Sequence, residues 1–469
     1  MICVQKGITF VLFLVALVMF ASLAAAETGN IVLAKNSINR LFDHVIVKGD
    51  TLKGHLNKPI PLMRLYAFKE GKMEPIPFQI DEITEEGDWV LPEKSPYLDK
   101  ENSKKSVLLK EDPHEVMDEN DELAFMISDI GDRAAPSAWP VGWIYADELI
   151  LTDPLTQDKG WVYLFSFAEP PERSPVDYVT YDLPPDRKDR LYTDNYTLGF
   201  SHIVPITQDY LDYRDGINIL DRMKMRTYFR FFCFVKFDRN ENDMQSMVWQ
   251  YKDGPVRAVR MVRSSVRLIR NLQSPKINSE TRYYRNATLL PIRIKIPRMA
   301  AGVVNEAFID AGGDYRDLYG WKVRFNTDER WLNVDGKMDD VEKNINKDGA
   351  RWYIIKNENK AMIIFIKFLE EYGMHTQFHY LDDDVNTFPP EFHPGQVPFI
   401  GFRIHDLHKI GTRENFGMNV ICFYLNQNYS EEQLLQAMNI FDNPIQVSAV
   451  PFNNVSSSCL SRVQTDNTP

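Results

Sequence analysis

Eighteen lysines and arginines stand against five aspartates and glutamates between Arg222 and Arg298, whereas the rest of the 469-residue chain holds 36 basic against 61 acidic residues. One internal segment is therefore +13 and the remainder −25. Guanidinium groups grip carboxylate, sulfate or phosphate through two parallel hydrogen bonds, so a row of them is an anion receptor. Alternation across residues 222–237 sets Arg222, Lys224, Arg226, Tyr228 and Arg230 on one side, with Met223, Met225, Thr227, Phe229, Phe231 and Cys233 on the other. Arg257, Arg263 and Arg267 in 254–269, and Arg293 and Lys295 in 283–297, widen that face if the strands are neighbours. Tyr228, Tyr283 and Tyr284 supply rings for stacking on sugars. The expected ligand is an anion on a basic β-sheet face, an acidic glycan first. The competing reading is that these cations are solvated or pair with the acidic remainder.

A histidine cluster is the second candidate. Five of the nine histidines, His375, His379, His393, His405 and His408, fall within 34 residues, close to Asp382, Asp383 and Asp384. The spacing of His375 and His379 keeps both on one side of a helix or strand, and with Asp382 they form a candidate transition-metal set. No named metalloenzyme motif matches: residues 375–379 lack the glutamate of the zinc-protease pattern. The acidic run Asp118 to Glu122, with Asp129 and Asp132, is a candidate calcium site without the glycine-centred loop of that motif, and reads otherwise as a turn into a strand. Two functions use these residues. One is binding of an anionic ligand by Arg222, Arg226, Arg230, Arg257, Arg263, Arg267 and Arg293. The alternative is a lyase or epimerase on an anionic sugar, where arginine neutralises the carboxylate and Tyr228, Tyr284, His375 or His379 moves the proton. The common serine-nucleophile, phosphate-loop and haem-attachment motifs are absent. The sequence implies no particular cofactor.

The elements that must hold these residues are mostly strands. Short alternating or apolar runs at 44–48, 61–68, 73–80, 122–128, 148–152 and 161–167 are bounded by turn residues, and longer ones follow at 222–237, 254–269, 283–297, 361–368, 398–404 and 417–426. The expectation is two antiparallel β-sandwich domains, at 27–185 and 192–452, divided at the paired prolines Pro170-Pro171 and Pro184-Pro185. Residues 93–119 read as a surface loop. One short C-terminal helix is expected where Ser430 caps a turn, Gln433 stands three residues on, and Leu434, Leu435, Met438 and Phe441 form an apolar face. Residues 453–469 are rich in Ser, Asn and Thr and are expected to be disordered. Residues 1–26 read as a cleaved Sec-type signal peptide without a lipobox, and no later run is apolar enough for a membrane helix. The expected location is periplasmic or extracellular. Net charge −12 argues against general nucleic-acid binding. After cleavage Cys233, Cys422 and Cys459 allow at most one disulfide.

Three strings carry a family resemblance. Pro75 to Glu82 (PIPFQIDE) and Asn120 to Arg133 (NDELAFMISDIGDR) resemble strings of uncharacterised secreted bacterial β-sandwich proteins. Asp253 to Arg260 (DGPVRAVR) is similar to a strand entry of galactose-mutarotase-like and polysaccharide-lyase-like proteins. The resemblance implies a sandwich fold whose second, larger domain is supersandwich-like, and carries no activity with it.

Overall fold

A computed structural model of the chain describes residues 31–100, 102, 115–186, 188–232, 234–269, 272–274, 276–295, 304–370, 372–386, 388–393, 395, 397–412, 415–426 and 429–454. The expected signal peptide, Cys233, Cys459 and residues 455–469 lie outside the described residues; Cys422 is a free thiol. Among the described residues no helix is long and apolar enough to cross a membrane.

The fold is mainly β and sandwich-like, with antiparallel pairing throughout the described ladders. In the smaller sandwich the strands Gln446–Asn453, Trp143–Thr152, Lys159–Phe167, Met63–Lys69 and Lys72–Pro75 form one sheet in that order. It faces a second sheet, His44–Lys48, Glu122–Met126 and Gln79–Asp81. Val45, Leu65, Leu123, Phe125, Leu149, Val162 and Leu164 meet between them, each full burial contributing roughly 1.5–3 kcal/mol. The outer side of the five-stranded sheet buries an aromatic cluster, Tyr66, Phe68, Trp139, Trp161 and Phe165. A strand covered on both faces has no polar side to show, which is why Lys159–Phe167 is nearly all apolar.

The larger sandwich sets a long sheet against two smaller ones. Its long sheet runs Asp328–Asn333, Lys322–Phe325, Trp352–Lys356, Ala361–Phe368, Asn415–Leu425, Ala287–Lys295, Ile277–Tyr284, Arg257–Ile269, Met244–Lys252 and Glu93–Lys94. Opposite lie a four-stranded sheet, Thr180–Asp182, Arg190–Tyr192, Thr197–Phe200 and Gln208–Asp212, and a five-stranded one. The latter runs Val235–Arg239, Leu220–Phe231, Val304–Tyr315, Phe399–Ile404 and Thr376–Leu381. Leu198 and Phe200, Ile364 and Tyr424, and Ile400 and Phe402 bring the three sheets into one core. The two halves are stitched both ways: Glu93–Lys94 extends the long sheet, and Gln446–Asn453 returns to pair with Trp143–Thr152.

Several strand expectations need correction, and each break has a local cause. The run 73–80 is two strands in two different sheets, because Pro75 and Pro77 interrupt the ladder between Lys72–Pro75 and Gln79–Asp81. The run 222–237 is a hairpin: Phe232 adopts φ 49° and Val235–Arg239 folds back on Leu220–Phe231. The run 283–297 is also divided, with Tyr284 ending one strand and Ala287 starting the next. Within 93–119, Glu93–Lys94 is a strand and not a loop. The expected C-terminal helix is capped by Ser430 and Gln433 in the anticipated box but comes in two pieces, Glu431–Gln436 and Asn439–Asp442. A further capped turn of helix, Asp340–Lys343, was not foreseen.

Candidate functional site

Alternation places Arg222, Lys224, Arg226, Tyr228 and Arg230 on the outer side of the larger sandwich's five-stranded sheet, as their spacing requires, while Met223 and Met225 face inward. Half of that row is roofed and neutralised. Lys224 lies 2.6 Å from Asp314 and 3.2 Å from Glu391, and its ammonium also donates to the Phe388 carbonyl. Arg226 stacks on the Phe388 ring, donates to the same carbonyl at 2.8 Å, and lies 3.6 Å from Glu241. Arg222 is buried against Phe392, with Asn242 Oδ1 at 3.1 Å and Glu241 at 3.9 Å. Burial pushes Asp314 up to about 7 against the pull of Lys224. The expectation of a continuous open basic face is therefore corrected. Desolvated cations need counter-charges, and the next strand and the segment around Phe388 supply them.

Arg257 is corrected more strongly. It is fully buried: Nε donates to Asp81 at 2.7 Å, one terminal nitrogen to Glu122 at 2.8 Å, and the other to the Tyr284 hydroxyl at 3.2 Å. Burial would raise Asp81, but Lys252 and Arg257 outweigh it and hold its carboxyl at about 2. Gln79 Oε1 accepts from the Arg257 backbone at 3.1 Å, and a side chain on Gly254 would strike that amide. The three strings of the family resemblance thus meet in one buried ionic cluster joining the two sandwiches. Tyr284 belongs to it, its ring stacked at 3.6 Å on buried His44, so neither it nor buried Tyr283 presents a ring to a ligand.

The remaining nominated arginines lie apart. Arg263 stacks on Trp249 and donates to Asn278, Arg267 pairs with Asp243 at 2.8 Å, and exposed Arg293 donates to the carbonyls of Ile292 and Met418 and to Asn419. The side chain of Lys295 is outside the described residues. The nominated metal residues His375, His379 and Asp382 have separate partners. Asp382 is buried and accepts from the backbone of Asp335 and Gly336, and among the described residues no group of three potential ligands converges. The acidic run is likewise engaged: Asp121 accepts from the amides of Ile83 and Asp118, Asp129 from the Tyr178 hydroxyl, and Asp132 from Lys35 and the Asn36 amide.

What the register does assemble is the open half of the same outer face. Tyr228 stands opposite Phe308, and the rings stack at 4.9 Å. Phe308 continues to His405 at 5.9 Å, and His405 to exposed His375 at 5.5 Å. This aromatic and imidazole row starts on two strands and ends on His405 and His375, each one residue beyond the end of Phe399–Ile404 and Thr376–Leu381. A polar row runs beside it through Arg226, Asp310, Arg403 and Gln377. Arg403 holds Asp310 bidentately at 2.7 Å and lies over the Phe308 ring, Arg230 pairs with Glu306 at 2.8 Å, and Gln377 pairs with His405 at 2.8 Å. Burial, then Arg403 and His375, lower the His405 pKa and favour its neutral ring. His379 lies between Phe388 and Phe399 with Nδ1 3.5 Å from Asp310, close enough for attraction but not aligned as a hydrogen bond. Phe308 was missed because Val304–Tyr315, with Gly312 and Gly313 side by side, did not read as a strand, although Glu306, Phe308 and Asp310 alternate; Arg403 lies on the expected strand 398–404 but outside the basic segment 222–298.

No family model and no curated protein matches the chain. Among solved structures, an alpha-mannosidase from Enterococcus faecalis V583 is similar at 8% identity and TM-score 0.40, over 89% of this chain and 45% of that one. The alpha-N-acetylgalactosaminidase NagBb from Bifidobacterium bifidum is similar at 10% identity and TM-score 0.32, over 56% of this chain and 37% of that one. The chain spans less than half the length of either, and the site's chemistry is read from its own residues.

Proposed function

We propose that this chain is an extracytoplasmic glycan-binding protein whose receptor is the outer face of the larger sandwich's five-stranded sheet, with a preference for acidic sugars. The observation that carries the reading is the row Tyr228, Phe308, His405 and His375 beside Arg230, Arg403 and Gln377. Rings accept the C–H faces of sugars, and the flanking donors suit hydroxyl and carboxylate oxygens. Arg230 is balanced by Glu306 and Arg403 by Asp310, so the preference for acidic sugars rests on the guanidinium donors that could re-pair with a ligand carboxylate and not on net charge. The lyase or epimerase alternative draws less support, since Tyr284 is enclosed and His379 is packed between two phenylalanines beside Asp310.

Titration calorimetry with polyuronate oligosaccharides and neutral counterparts tests the reading. The polyuronate should bind more tightly, and Tyr228→Ala or Phe308→Ala should each weaken it roughly 3- to 10-fold, the scale of one lost aromatic contact. Equal or absent binding across the panel would overturn it.

A further inference from the structure

The opposite side of the same sheet carries a second feature. Along Val304–Tyr315 the inward positions are Ile309, Ala311, Gly313 and Tyr315, and register sets Met225 opposite Ala311 and Met223 opposite Gly313. Two neighbouring core positions are thus small where the flanking ones are large. The space left between the sheets is a cavity of about 220 Å³, walled by Met223, Met225 and Phe402 on one side and by Ile292, Ile366 and Met418 on the other. A dry apolar cavity of roughly 150 Å³ is enough to hold benzene. Met223, Met225, Ile292 and Ile309 keep accessible surface although they face inward, so this core is less closely filled than a native interior ordinarily is.

The polar groups on the lining restrict what would fit. The Tyr315 and Tyr353 hydroxyls bond each other at 3.2 Å, and burial pushes the Cys422 thiol up to about 11, so it stays neutral. Arg293, the one charged residue among the described lining residues, is exposed and spends its guanidinium on two carbonyls and Asn419. Ser264 differs from these: its hydroxyl is buried at the lining and has no hydrogen-bond partner among the described residues. An orphaned buried hydroxyl is destabilising, and a ligand's polar atom would relieve that cost.

We infer that this cavity is a binding site for an uncharged, largely apolar small molecule, somewhat larger than a benzene ring, carrying one hydroxyl or carbonyl that pairs with Ser264. A carboxylate is disfavoured, because it would be buried without a counter-charge. The site is separate from the glycan face and does not depend on it.

The test is displacement of the neutral fluorophore N-phenyl-1-naphthylamine from the full chain by naphthalene, 2-naphthol and 2-naphthoate. Naphthol should bind about fivefold more tightly than naphthalene, in keeping with one net hydrogen bond, and naphthoate most weakly. Ala311→Leu should fill the space and abolish binding with melting temperature unchanged or raised. Ser264→Ala should make naphthol and naphthalene equal while both still bind; this comparison stands even if the leucine variant does not fold. No displacement by any of the three, retained binding in a folded Ala311→Leu, or tightest binding of naphthoate would overturn the inference.

Discussion

Replacing Arg257 with alanine should cost about 3–5 kcal/mol of folding free energy, the range for stripping one partner from a buried ion pair. The magnitude follows from the geometry. The guanidinium is fully buried and divides its donors between Asp81 and Glu122, so its loss leaves two carboxylates in a low-dielectric site. Lys252, 2.6 Å from Asp81, and Lys48, 2.7 Å from Glu122, remain and cap the damage. Urea denaturation followed by circular dichroism measures the change. Arg257→Lys should fall between wild type and alanine, since one ammonium cannot serve both carboxylates and Tyr284 with the fork's geometry. Acid should show the same coupling with a definite sign. Asp81 is held at about 2 against a usual 3.8, so its contribution is present above pH 3.8 and lost as pH falls through 2. That contribution is about 2 kcal/mol at 1.36 kcal/mol per pH unit, and it should shrink in the alanine variant. A loss below about 1 kcal/mol, or an unchanged acid limb, would refute the view that this cluster clamps the two sandwiches together.

Two further outcomes are expected. Burial, then Arg257 and Arg282, lower His44 from 6.5 to about 3. Its contribution to stability is therefore complete above pH 6.5 and falls as the pH drops toward 3, by roughly 2–3 kcal/mol between pH 6.5 and 4.5; His44→Phe, which keeps a ring against Tyr284, should flatten that interval in pH-dependent denaturation. Ser430→Ala removes the cap bonded to the Gln433 amide at 3.2 Å and should cost about 1 kcal/mol in the same assay.

Much of the architecture was legible because alternation and turn residues are local signals. The strand 361–368 could be read from a continuous apolar run, and the outward row Arg222, Lys224, Arg226, Tyr228 and Arg230 from a period of two. What covers a strand was not legible. The covering of Lys224 depends on Asp314 and Glu391, which are 90 and 167 residues away, and nothing local announces them. The same holds for Arg257, whose partner Asp81 is 176 residues distant. Charge segregation was a true signal with two sources. Part of it reports a buried electrostatic seam against the acidic remainder, which had been the competing reading, and part reports surface. The histidine spacing shows the same limit: His379 lies on Thr376–Leu381 and His375 just before it, and His375 turns to His405 while His379 turns to Asp310.

Hydroxyl-radical footprinting of the chain with and without a bound polyuronate is the most direct measurement of the proposed receptor, because it reports which aromatic rings the ligand covers. Protection should concentrate on Tyr228, Phe308, His405 and His375, with Trp249 and Tyr284 unchanged. Protection centred on Trp249 and its neighbours, with the row from Tyr228 to His375 still fully reactive, would contradict the account.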